Sequence, residues 1–203
     1  MRDDGLGRAL VAIARRAIGA ELGAPDGFGT DSSWREHEAN PALGAPGATF
    51  VTLFSHGTLR GCIGTLEARR VLGADVRANA VAAAFADPRF PHLGADEFLD
   101  TLVEVSLLSA TEAVTADSER ALLDRLRPGV DGVVLEYAGR RATFLPQVWE
   151  SLPEPADFLA ELKRKAALPI DFWSSAVKVS RYDVIKWRES DLRGHVHIME
   201  ATS

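Results

Sequence analysis

Cys62 is the only cysteine in the chain, and it stands two residues after an arginine in Leu59-Arg60-Gly61-Cys62-Ile63-Gly64. A thiol attacks as its thiolate, and a nearby arginine favours that charge. On an extended strand, residues two apart point the same way and lie about 7 Å apart. Strand period alone therefore puts Arg60 and Cys62 on one side. The pair suits a nucleophilic or substrate-contacting thiol in a shallow basic pocket. It equally suits a small half-buried cysteine beside an arginine that pairs with a carboxylate elsewhere. Gly61 and Gly64 leave room for another backbone or a ligand to approach.

Cysteine catalysis also asks for a positioned base, usually histidine. His56 lies in the turn before the strand, too far from Cys62 unless the loop folds back. His92 ends the proline-bracketed run Arg89-Phe90-Pro91-His92, from which it has the reach to meet a sheet face. Arg60 and Arg89 are both suited to gripping a carboxylate or phosphate through two hydrogen bonds. Metal chemistry has less support. Glu36-His37-Glu38 are adjacent on a loop and diverge, without metal-ligand spacing. His195 and His197 alternate near the terminus with no evident third ligand. The glycines are followed by no Lys-Ser or Lys-Thr and open no helix, so a phosphate-binding loop is absent, as is a nucleophile elbow. No metal and no cofactor is expected.

These residues need a scaffold. Phe50–Phe54 and Leu59–Leu66 flank Ser55-His56-Gly57-Thr58 and predict a β-hairpin. A four-residue loop pairs Leu59 with Phe54, Arg60 with Leu53, Gly61 with Thr52 and Cys62 with Val51. Phe50, Phe54, Leu59 and Ile63 then form the core face, and Arg60, Cys62 and Gly64 share the other with Val51 and Leu53. Upstream, 6–22 has helical spacing, with Asp3 or Asp4 as cap and Arg8, Arg15 and Arg16 on a solvated side. The Gly-, Pro- and Ser-rich stretch 23–48, which carries Trp34, reads as a long irregular loop.

Downstream, the Ala-rich 74–86 reads as a helix stopped by Asp87-Pro88. A short helix follows at 95–99. In the strand 101–108, Val103, Val105 and Leu107 face one way and Glu104 and Ser106 the other. Helices over 118–126 and 157–168, strands over 130–137 and 142–145, and a last strand region over 176–187 complete the chain. Antiparallel hairpins with clustered helices, and no regular βαβ alternation, predict α+β with mixed or antiparallel sheets flanked by helices.

The 203 residues suffice for one large domain or two small lobes. A net charge of −6 argues against non-specific nucleic-acid binding, an RNA role included. No apolar run reaches the roughly 18 residues of a membrane span. A lone cysteine makes no internal disulfide, which points to a reducing cytoplasm.

Leu59-Arg60-Gly61-Cys62-Ile63-Gly64 resembles the signature hexapeptide of the AMMECR-type domain family, called AmmeMemoRadiSam system protein A in prokaryotes. The likeness continues through 84–91, 103–106, 142–150 and 158–166 and reaches Trp173 and Tyr182, nearly the whole chain outside 23–48 and the tail. The resemblance implies one AMMECR-type domain over 1–203, with two unequal lobes around a cleft, the smaller built mainly from about 112–150. It implies a Memo-type protein and a radical S-adenosylmethionine protein as partners, and it supplies no substrate. Mapped by motif, the residues of interest are Arg60, Gly61, Cys62 and Gly64, then Asp87 and Arg89, then Glu104 and Gln147. Relatives often carry a second cysteine where this chain has Lys163, so thiol chemistry here rests on Cys62 alone. The expected role is action of a Cys62/Arg60 centre on an anionic small molecule or protein substrate. Arg60 activates the thiol, Arg89 anchors the anion, and Glu104 or His92 handles a proton. The alternative is a non-catalytic module whose cleft recognises a metabolite, peptide or partner.

Overall fold

Helix α1 (Asp4–Glu21) starts where Asp3 accepts the Leu6 N–H at 3.1 Å in the computed structural model, which describes residues 3–23 and 39–192. Trp34, Glu36-His37-Glu38 and His195 with His197 lie outside the described residues, as does 24–38 of the expected loop. That loop ends sooner than expected. A 3-10 turn at Pro41–Gly44 leads into β1 (Pro46–Ser55), which takes in 46–48. The chain divides into two compact units, Met1–Leu107 with Ile185–Ser203, and Leu108–Val184. The fold is α+β.

In the first unit, β1, β2 (Thr58–Gly64), β3 (Arg70–Val71), β4 (Thr101–Leu108) and β9 (Val184–Arg188) form one sheet in the order β2-β1-β4-β9, with β3 also paired to β1. Helix α1 and the Ala-rich α2 (Leu72–Phe85) bury Leu10, Ile18, Val76 and Ala80 in a core with Val51, Leu53, Val103 and Trp187. This reverses the expected face of β1, while Ile63, which faces Val51, packs against the core as expected. Val51 and Leu53 are fully buried, whereas Phe50 and Phe54 are half-buried and Leu59 is exposed. Both faces of β1 carry apolar side chains, so hydrophobicity alone does not choose between them; the Val and Leu side is the one covered by helices.

Arg15 also departs from expectation. It is not solvated on α1 but buried, with Nε on both carboxylate oxygens of Glu189 at 2.9 and 3.0 Å and Nη1 on the Phe98 carbonyl at 3.2 Å. Glu189 opens the short helix α6 (Glu189–Leu192), so α1 is tied to α6 by a buried ion pair and to the end of α3 (Ala95–Leu99) by a hydrogen bond.

In the second unit the antiparallel sheet runs β5-β8-β6-β7, from β5 (Glu112–Ala113), β6 (Gly132–Tyr137), β7 (Arg140–Phe144) and β8 (Lys178–Tyr182). The expected strand region 176–187 is two strands, β8 and β9, which break at Asp183 and join different sheets. Helices α4 (Glu119–Leu123), capped by Ser118, and α5 (Pro155–Lys165) cover a core of Leu122, Val133, Leu135 and Leu162. Trp149 stacks on Phe158 with centroids 3.7 Å apart, and its indole N–H donates to the Asp131 carbonyl at 2.7 Å. The stretch 112–150 lies in this unit together with α5 and β8.

Candidate functional site

The hairpin turn sets the register around Cys62. Ser55 pairs with Thr58, so only His56 and Gly57 form the loop, with φ of 49° and 79°. Two-residue hairpin loops favour such positive values because they match strand twist. Phe54 then faces Leu59 as expected. The register shifts at the next step, where Leu53 faces Gly61 and Arg60 is the extra residue of a β-bulge. Beyond it, Thr52 faces Cys62 and Phe50 faces Gly64. Cys62 consequently shares its face with Phe50, Thr52 and Phe54, and not with Val51 and Leu53.

The bulge also undoes the expected link between Arg60 and Cys62. Arg60 is 8% exposed and binds α3 and the connection before it: Nε and Nη2 reach the two oxygens of Glu97 at 2.5 and 3.0 Å, and Nη2 reaches the Pro91 carbonyl at 2.9 Å. The guanidinium also lies 5.8 Å from the Phe90 ring centre. Arg60 braces a loop. The two motif glycines have separate reasons. A Cβ on Gly61 would sit 2.2 Å from the Ala83 carbonyl oxygen in the last turns of α2, and one on Gly64 would sit 2.2 Å from the Phe50 ring.

The arginine beside Cys62 is Arg89. Strand β2 is a sheet edge, so the Cys62 peptide faces away from β1. Its N–H donates to Asp87 Oδ2 at 2.9 Å, and its carbonyl accepts from Arg89 Nη2 at 3.4 Å. Asp87 is buried and fixes Arg89 in turn, accepting its backbone N–H at 3.1 Å, Nε at 2.9 Å and Nη2 at 2.7 Å. The end of α2 positions this loop. Pro88 disfavours further helix, Phe90 N–H closes onto the Asp87 carbonyl at 3.1 Å, and Leu93 N–H returns to the Ala84 carbonyl at 3.0 Å. The Arg89 hydrogen bonds hold the Asp87 carboxyl well below the usual carboxylate range, against burial, which pushes it up. Asp87 likewise raises Arg89, and the field of Cys62 adds to that.

The half-buried Cys62 Sγ lies 3.3 Å from Thr52 Oγ1, within hydrogen-bond reach. Of the two histidines expected as a base, His56 is exposed in the turn, and His92 packs edge-on against Phe85 with centroids 6.1 Å apart. Glu104 does reach the Cys62 face, through a residue that sequence reasoning missed. Arg188 at the end of β9 donates from Nη2 and Nε to Glu104 Oε2 at 2.8 and 3.1 Å, and its guanidinium lies 4.8 Å from the Phe54 ring centre. Strand alternation sets Arg188 opposite buried Trp187, but nothing local signals a partner 84 residues away. Gln147 belongs to the second unit, exposed in a 3-10 turn at Pro146–Glu150. Among the described residues, no group of three or more His, Cys, Asp or Glu is placed to hold a metal ion, and no helix is long and apolar enough to cross a membrane.

The AMMECR1 family model matches residues 11–187. The chain belongs to the AMMECR1 family. It is 36% identical over 192 residues to protein LS215_2104 of Saccharolobus islandicus, covering 91% of this chain and 82% of that one. A protein of Methanosarcina acetivorans is 32% identical over 94% of both chains. The crystal structure of the uncharacterized protein PH0010 from Pyrococcus horikoshii is similar with a TM-score of 0.77 at 30% identity, over 92% of this chain and 93% of that one. In this AMMECR1 chain, the hexapeptide 59–64 is where a bulge, two close packings and a bound edge peptide coincide.

Proposed function

We propose that the sheet face carrying Cys62 recognises an anionic group on a small molecule, peptide or protein substrate. On this reading it works in the cytoplasm with the Memo-type and radical S-adenosylmethionine partners that the family resemblance implies. The observation that carries the reading is the Asp87–Arg89 clamp on the Cys62 peptide. It fixes a guanidinium whose side chain is 53% exposed beside the thiol, and the Glu104 pair does the same for Arg188, 45% exposed. Buried carboxylates orient both arginines, and their outward N–H groups remain for an incoming carboxylate or phosphate. Charge-assisted hydrogen bonds of this kind give specificity with no reaction at all.

A second reading makes Cys62 a nucleophile, with Arg89 in the place that Arg60 was expected to fill. It rests on the position of Arg89, whose Nη2 lies 3.4 Å from the Cys62 carbonyl. Capture of the two partner proteins, and turnover in the reconstituted three-protein system, separate the readings. The recognition reading expects Arg89→Ala to weaken capture or substrate binding by about tenfold and Cys62→Ser to leave both capture and turnover near wild type. Turnover lost in Cys62→Ser with capture intact favours the nucleophile. Unchanged binding in both Arg89→Ala and Arg188→Ala overturns the recognition reading.

A further inference from the structure

The second unit holds two concavities of about 310 Å³ each that share a wall. One is floored by Val114, Ala116 and Val177, which pack on the edge of the second core, and is walled by Trp173. The other is formed by the β6–β7 turn, Tyr137 to Arg141, with Ala176. Glu136 and Lys178 line both, and they face each other across β6 and β8. We propose that together they form one ligand site, for a ring-sized apolar group joined to a carboxylate.

The orientation follows from charge. The first concavity offers apolar floor and an aromatic wall, the surroundings in which a planar ring gains most from burial and ring contact. Its charged lip includes Asp117, which repels a carboxylate. The second concavity sets Arg140, Arg141 and Lys178 against the single carboxylate of Glu136. Arg141 lies 3.3 Å from Glu136 and compensates it. Arg140 is braced on the Ala167 carbonyl. Lys178 is exposed on the shared wall, between the apolar floor and the basic turn. A ring in the first concavity therefore places an attached carboxylate within the field of Lys178. Two sources carry this chemistry, a free aryl carboxylate and the C-terminal residue of a peptide. All of its lining residues belong to the second unit, and Cys62 belongs to the first.

The test is a titration of the purified chain followed by amide NMR shifts, with indole-3-acetate for the free acid and acetyl-Gly-Gly-Trp for the peptide end. Shifts over 113–117, 136–141 and 173–180 with either probe support the site, and the better binder names the source. Lys178→Glu, at an exposed position, is expected to weaken binding by about tenfold. Trp173→Ala is expected to remove ring binding, and Lys178→Glu carries the test alone should that variant fail to fold. Tryptamine, which has the ring and the opposite charge, binding as tightly as indole-3-acetate overturns the proposal. So do shifts confined to other surfaces, or none.

Discussion

Asp87 stands in for a neighbouring strand at Cys62. Its carboxylate accepts the outward Cys62 N–H at 2.9 Å, and the arginine it fixes donates back to the Cys62 carbonyl at 3.4 Å. An edge strand otherwise presents such groups to water or to another chain. Here a loop closes the edge at the residue whose side chain is the candidate for function.

Asp87→Asn is expected to lower stability at pH 7 by about 2 kcal/mol, the scale of hydrogen bonds to a charged group. Because the native carboxyl titrates below its ordinary value, its contribution is complete above the unfolded value of about 3.9 and fades as pH falls toward the native one. Urea unfolding of wild type and variant should therefore show a constant gap from about pH 5 to 8 that narrows below about pH 4. A gap that widens on acidification would rule this account out.

The two motif glycines should respond unequally to alanine. At Gly61 the new methyl meets the backbone oxygen of Ala83, so α2 must move off the sheet; at Gly64 it meets the Phe50 ring, which can swing on its own rotamers. Gly61→Ala is expected to cost about 3 kcal/mol or more and Gly64→Ala about 1 kcal/mol. Thermal or urea unfolding of the two variants checks the order, and equal losses would show that α2 gives way easily.

The α+β class, the hairpin, α1 with a cap at Asp3 or Asp4 and the helix stop at Asp87-Pro88 were legible because each rests on local signals. The partnership of Arg60 was not. Arg60 is an extra residue set against the step from Leu53 to Phe54, and it resets the pairing of Gly61, Cys62 and Gly64. A β-bulge has no reliable signature in a strand that already contains two glycines. The core face of β1 was equally hidden, since its valine, leucine and phenylalanine positions are apolar on both sides and only tertiary packing selects one. Arg15–Glu189 and Glu104–Arg188 join residues far apart in the chain, which no periodicity reports.

Two tight turns carry a non-glycine residue in the left-handed region, His56 at φ 49° and Ala138 at φ 48°. Asparagine tolerates that conformation better, because its side chain bonds locally to the backbone. Ala138→Asn and His56→Asn should each raise stability by about 0.5 kcal/mol. Chemical denaturation resolves the gain most clearly in the double variant, whose turns lie in different units and should add. A loss in either would mean that the existing side chain makes a contact worth more than the strain.

Lys163 is 1% exposed on α5, with Nζ on Glu119 Oε2 at 2.7 Å and on the Ile170 carbonyl at 2.9 Å. Its side chain contributes in two ways, through the ion pair and through the volume of the aliphatic stem. Glu119 keeps about a third of its side chain in solvent, so it rehydrates when its partner is lost, and filling the space matters more than keeping the charge. Lys163→Ala should cost about 3 kcal/mol, whereas Lys163→Met, which fills the space without the charge, should stay within about 1 kcal/mol of wild type. Urea unfolding of the two variants decides between the contributions, and equal losses would give the ion pair the greater share.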